Sequence, residues 1–197
     1  MSWNNIRISV RLFTANYIES PIAKVLHALG LSPNMITILG LILSIVASYL
    51  IYQGYFLVSG LLILISGFMD MMDGALARRY ATASQMGAFL DSVTDRISEA
   101  ALLFGILLFY LNQYNTYSGE IKLLFLTLAG SMLVSYLRAR GESLNIDCKI
   151  GIMTRPERIL LISIGLLFDQ LSIILWIMAT LSALTIIQRF LYITRRI

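Results

Sequence analysis

Cysteine, histidine and proline are almost absent from this chain. Its 197 residues include one cysteine, Cys148, one histidine, His27, and three prolines. A single cysteine excludes an internal disulfide, and no Cys/His spacing exists that would hold zinc. No internal repeat, low-complexity tail or Pro/Gly/Ser-rich linker interrupts the sequence, so one domain over 1–197 is expected. Charge is scarce too: 13% of residues are Asp, Glu, Lys or Arg, against about 25% in an ordinary soluble domain. The net charge is +4, and the basic residues do not interleave with aromatics on one face, so nucleic acid is not an expected partner. The opening "MSWNNIRISVRLF" lacks a continuous apolar core followed by a small-residue cleavage site, and no removable signal peptide is read there.

What is there is apolar. Hydrophobic residues make up 58% of the chain, and the mean hydropathy is +0.79. That bias points to an integral membrane protein in contact with a lipid bilayer. A span needs about 20 mostly apolar residues. Six can be drawn, at 35–52, 56–78, 86–112, 121–139, 157–171 and 172–192, the last two parted at "FDQLS". Ahead of them Ile6, Val10, Phe13, Tyr17 and Ile18 recur at three- and four-residue steps, with Arg7, Arg11 and Lys24 between. That is the pattern of an amphipathic helix lying in the interface. "LSPN" closes it, since Pro33 cannot continue a helix and Ser32 is a good cap for the next one. With the N-terminus in the cytoplasm and the spans alternating, only Lys122 of the fifteen Lys and Arg residues falls outside, as the positive-inside bias requires. The expected fold is therefore all-α and multi-pass: a cytoplasmic amphipathic interfacial helix within 1–30, then six transmembrane helices within 35–192.

The stretch "DMMDGALARRYATASQMGAFLDSVTDR" breaks the apolar pattern with four aspartates, Asp70, Asp73, Asp91 and Asp95. Residues three and four apart share a helix face. Asp70, Asp73 and Ala77 then line one face of the second span, and Asp91 and Asp95 one face of the third, with Gly87 a turn earlier. The connection is short, so the two helices are antiparallel neighbours and the pairs can face each other. Four carboxylates in a low-dielectric pocket repel one another unless a cation compensates them. All-oxygen ligation selects Mg²⁺, Mn²⁺ or Ca²⁺ over zinc. Four carboxylates suffice for two ions, a recurring device for phosphoryl chemistry. Gly74, Ala77 and Gly87 leave room for a phosphate or nucleotide to approach the backbone. Two other readings exist: the acids pair with Arg78, Arg79 and Arg96, or they form an ion or proton path as in transporters.

These residues read D-x-x-D-G-x-x-A-R-x8-G-x3-D-x3-D, and all eight fixed positions resemble the signature of the CDP-alcohol phosphatidyltransferases. The six spans and the N-terminal helix are similar to that family as well. The resemblance implies displacement of CMP from a CDP-linked lipid by an alcohol. It implies that Asp70, Asp73 and Asp91 hold the metals, a pair of Mg²⁺ or Mn²⁺ ions, and that Asp95 completes the site and acts as general base. Asp95 lies nearer the hydrocarbon than Asp91, which suits a base. By the same resemblance Arg78 contacts the diphosphate, Gly74 lies against the nucleotide, and Ser84 reaches it from the connecting turn. The segment Pro33, Asn34, Met35, Ile36 and Thr37 approaches the cytidine. A homodimer is expected on the same ground.

A second charged cluster lies in "SYLRARGESLNIDCKIGIMTRPERILL" and at the end of the sixth span: Arg138, Lys149, Arg155, Arg158 and Arg189. Positive-inside charge touching anionic headgroups explains many such residues. As a set beside a metal site they form a docking site for an anionic acceptor, because Arg binds phosphate in bidentate fashion. "TRPER" after "RAR" resembles the subgroup making phosphatidylinositol phosphate or its archaeal ether-lipid counterpart, with inositol phosphate as acceptor. Glycerol-3-phosphate is the alternative phosphorylated polyol. Cys148 and His27 are given no role.

Overall fold

The computed structural model describes residues 19–113 and 119–197. Of the expected interfacial helix, Ile6, Arg7, Val10, Arg11, Phe13, Tyr17 and Ile18 lie outside the described residues. Among the described residues the chain is all helix: α1 Ser20–Ala28, α2 Pro33–Tyr52, α3 Phe56–Arg79, α4 Gln85–Gln113, α5 Gly119–Ser143, α6 Arg155–Leu167 and α7 Leu171–Thr194.

The ends of these helices follow from local chemistry. Gly30 takes a left-handed φ of 74° just beyond α1, and Pro33 then opens α2. The Ser32 hydroxyl accepts a hydrogen bond from the Met35 amide at 3.3 Å, the expected cap. A reciprocal capping box starts α6: Thr154 precedes it, Glu157 sits three residues on, and Pro156 occupies the first turn. Between α6 and α7 Asp169 turns left-handed, with φ 54°, and the Gln170 amide closes back on the Gly165 carbonyl at 2.8 Å. The break expected at "FDQLS" is thus three residues long, 168–170.

Among the described residues four helices, α2, α3, α5 and α7, are long and apolar enough to cross a membrane. No more than a third of the best apolar window in each is buried inside the protein, and the remainder is greasy surface suited to lipid. The third and fifth expected spans differ. The 29 residues of α4 have ample length but carry Asp91, Asp95, Arg96 and Glu99. The 13 residues of α6 rise only about 20 Å.

The chain divides into two compact units. The first holds the described residues up to Leu43 together with Ile65–Ile97. Its core is Ala23 of α1, Ile36 of α2 and Met72 and Leu76 of α3, with Ile22, Leu26, Leu31, Met69 and Tyr80 around them. There Ser66 donates to the Gly40 carbonyl at 2.8 Å, and His27 stacks on Tyr80 with ring centroids 3.7 Å apart. The second unit is Ser44–Leu64 and Ser98–Ile197. Its core joins Ala47, Ile51, Ile63, Leu102, Ile106, Leu124, Ile162, Leu166, Leu175 and Met178. Small residues let its helices touch. Gly105 faces the backbone carbonyl of Ser48, and a Cβ on Gly60 would come 2.9 Å from Leu167.

Candidate active site

All four aspartates fall in the first unit. Asp70 and Asp73 stand one turn apart on α3, Asp91 and Asp95 one turn apart on α4. Half-buried Asp70, Asp91 and Asp95 each offer a carboxylate oxygen within 4.8 Å of the others. Three like charges so close are costly without a cation, and three hard oxygen donors fit Mg²⁺ or Mn²⁺. Asp73 stands beside this group rather than in it. It is buried, 6% exposed, and its Oδ2 accepts a 2.5 Å hydrogen bond from the Thr37 hydroxyl of α2.

A cavity of about 230 Å³ adjoins the carboxylates. It is lined by Pro33, Asn34 and Thr37 of α2, by Asp73, Gly74, Ala77 and Arg78 of α3, by Thr82, Ala83 and Ser84 of the connection, and by Gly87, Ala88 and Asp91 of α4. The helical period separates the expected run Pro33 to Thr37. Pro33, Asn34 and Thr37 face the cavity, whereas Ile36 is buried in the core and the Met35 side chain is exposed off the lining. Ser84 lines the cavity while its hydroxyl accepts from the Gly87 amide at 3.0 Å, capping α4. A Cβ on Gly87 would crowd that hydroxyl at 3.1 Å and the Asn34 side-chain oxygen at 3.2 Å. Sequence reasoning does not single out Thr82 and Ala83, which lie among the eight residues between the two motif halves and look like spacer, nor Ala88, which lies in the three-residue gap between Gly87 and Asp91. The nearest signal was Ser84 three residues before Gly87, a cap spacing.

Of the arginines beside the motif, Arg78 pairs with Glu19 at 3.1 Å, with its own side chain 59% exposed. Arg96 donates to the Ser92 carbonyl of its own helix.

The five cations expected to bind an acceptor all lie in the second unit, in two kinds of setting. Arg138 is exposed and pairs with Glu142 at 2.9 Å. Lys149 is exposed and pairs with Asp147 at 2.6 Å. Arg155 is half-buried at the start of α6. Arg158 and Arg189 are buried, 1% and 2% exposed. Arg158 forks onto Glu99, with Nε to Oε1 at 2.5 Å and Nη2 to Oε2 at 2.8 Å. Arg189 donates to the carbonyls of Ile150 at 2.9 Å and Val134 at 2.6 Å. Sequence reasoning missed Glu99. Its signal was an acid in an apolar run, which demands a partner. Cys148 is fully buried, and burial pushes its thiol up, away from the reactive thiolate.

A helical membrane protein with clustered carboxylates beside a cavity of small residues and an arginine has the parts of a metal-dependent phosphoryl-transfer enzyme. The chain belongs to the CDP-alcohol phosphatidyltransferase family, whose description it matches over residues 30–193. It is accordingly a transferase of phospholipid synthesis. Among its relatives is the archaetidylinositol phosphate synthase of Pyrococcus horikoshii, 41% identical over 169 residues, which cover 85% of this chain and 86% of that one. Two crystal structures of the phosphatidylinositol phosphate synthase of Mycobacterium tuberculosis superpose with a TM-score of 0.80 at 29% identity. One has CDP-DAG bound, with 89% of this chain and 93% of that one covered. The other is in complex with manganese and citrate, with coverages of 89% and 88%.

Proposed function

We propose that the protein transfers a phosphatidyl-type group, diacyl or ether-linked, from a CDP-linked lipid to inositol phosphate, releasing CMP. The observation that carries this reading is the triad of carboxylates, Asp70, Asp91 and Asp95, beside the cavity that Asp73, Gly74 and Arg78 line. The names of the relatives support the acceptor.

Two divalent ions, Mg²⁺ or Mn²⁺, would be held by Asp70, Asp73, Asp91 and Asp95 and would neutralise the diphosphate and the departing phosphate. Thr37 fixes the Asp73 carboxylate for that purpose. Among the described residues Arg78 pairs with Glu19 while its own side chain is 59% exposed; a pair with an exposed partner is worth about 1 kcal/mol or less, so Arg78 can leave Glu19 for the diphosphate. Pro33, Asn34, Thr37 and Ser84 border the cytidine end, with Gly74, Ala77 and Gly87 admitting it to the backbone. Asp95 accepts the proton of the acceptor hydroxyl. The acceptor oxygen bonds to the lipid-side phosphorus, the bond from that phosphorus to the CMP oxygen breaks, and CMP leaves with the electron pair.

Arg138, Lys149 and Arg155 bind the acceptor's phosphate, and Arg158 and Arg189 are the buried members of the same cluster. In the membrane α4 and α6 complete a set of six spans, the aspartates face the cytoplasm, and the protein works as a homodimer.

The test is CMP release by purified protein from a CDP-linked lipid, with inositol phosphate, glycerol-3-phosphate, free inositol and serine as acceptors. Inositol phosphate should be used at least tenfold better than the others. Preference for glycerol-3-phosphate would overturn the acceptor, and CMP release with none of them would overturn the reaction.

A further inference from the structure

The Glu99–Arg158 ion pair is 1–2% exposed and contributes no group to the chemistry above. Both ends of the fork are satisfied, and the third nitrogen, Nη1, lies 3.4 Å from the Met153 carbonyl. Met153 is gripped from its other side, where its amide donates to Thr185 Oγ1 at 3.0 Å. Two residues earlier Gly151 has φ 135°, and a Cβ there would meet Thr185 Cγ2 at 2.7 Å. One residue earlier still, the Ile150 carbonyl is held by Arg189. The segment 150–153 is therefore fixed at each end by a buried arginine. Lys149 adjoins it on one side. On the other, Arg155 stands one helical turn before Arg158, on the same face of α6.

A buried arginine carrying this many bonds cannot turn to a substrate without leaving Glu99 as an uncompensated charge. We infer that Glu99 is a positioning residue for acceptor binding: through Arg158 it fixes segment 150–153 and the first turn of α6, and so sets the spacing of the Lys149 and Arg155 cations. This rests on the reading of those cations as the acceptor's anchor. Glu99 itself does not touch the acceptor, and the CDP-linked lipid is outside its influence.

The experiment compares three proteins in detergent: the parent, Glu99→Gln, and the double variant Glu99→Leu/Arg158→Met. Thermal unfolding, the KM for CDP-linked lipid and the KM for the phosphorylated acceptor are measured for each. The double variant removes both buried charges together, a change that is often neutral for stability, so it separates positioning from folding. Glu99→Gln should raise the acceptor KM about tenfold while the lipid KM stays within twofold. The double variant should melt within a few degrees of the parent yet keep a raised acceptor KM, because the Met153 carbonyl then has lost its Arg158 donor. Recovery of the parent acceptor KM in the double variant would overturn the inference. So would an equal rise of both KM values in Glu99→Gln, or an unfolded double variant with a Glu99→Gln acceptor KM like the parent's. If the parent prefers glycerol-3-phosphate, the choice of acceptor fails, and the same comparison with that acceptor still decides the role of Glu99.

Discussion

The Thr37 hydroxyl donates to the Asp73 carboxylate at 2.5 Å, and both side chains are less than a tenth exposed. A hydrogen bond to a charged group is worth about 1.5–3 kcal/mol. Thr37→Val keeps the shape and removes the donor. It should lower kcat/KM for the CDP-linked lipid by roughly tenfold to a hundredfold, whereas Thr37→Ser should stay near the parent. Steady-state CMP release checks this, and a fully active Thr37→Val would separate Thr37 from the site.

Each of Asp70, Asp73, Asp91 and Asp95 changed to Asn should abolish most turnover, since loss of one ligand misplaces the rest. A chelator should do the same to the parent, with Mg²⁺ or Mn²⁺ restoring activity. Asp95→Asn should differ from the other three by losing turnover far more than CDP-lipid binding, as befits a base. Equilibrium binding of the lipid beside turnover distinguishes the two roles.

Arg138→Ala and Arg155→Ala should each raise the acceptor KM by about tenfold or more, given about 1.5–3 kcal/mol per charge-assisted bond to phosphate. The KM for CDP-linked lipid should hardly move. Free inositol should be a poor acceptor for the parent, and equal use of inositol and inositol phosphate would exclude a phosphate clamp.

Gly105→Ala should destabilise the second unit. Its new methyl group would press on the Ser48 backbone carbonyl, next to the 2.5 Å bond from the Ser48 hydroxyl to the Ala101 carbonyl. Overpacking of this kind costs about 1–3 kcal/mol, and a melting curve should shift down by several degrees. Gly119→Ala, where a Cβ has nothing within 4 Å, is the control.

The aspartates were legible because their spacing repeats the helical period and their surroundings are apolar. Asp70, Asp91 and Asp95 converge as that spacing implies. What the period could not reveal is division of labour. Asp73 lies within the same motif but is bonded to Thr37, 36 residues away. Only tertiary packing decides such a pairing. The same holds for Arg158 and Arg189, which look alike in sequence to exposed Arg138. Their partners, Glu99 and the carbonyls of Ile150 and Val134, are 59, 39 and 55 residues distant. Ile36 and Met35 show the converse: they belong to the contiguous run Pro33 to Thr37, yet the helix turns them away from the cavity that Pro33, Asn34 and Thr37 line.

The brevity of α6 bears on the membrane the protein suits. Thirteen residues rise about 20 Å, while a hydrocarbon core is about 30 Å thick. As a span, α6 would draw the turn at Phe168, Asp169 and Gln170 below the surface of an average bilayer. Hydrophobic mismatch of this sort is relieved when the lipid thins around the protein, at a cost of fractions of a kcal/mol per Å. Vesicles of short-chain lipid should therefore support higher specific activity than long-chain ones of the same headgroup.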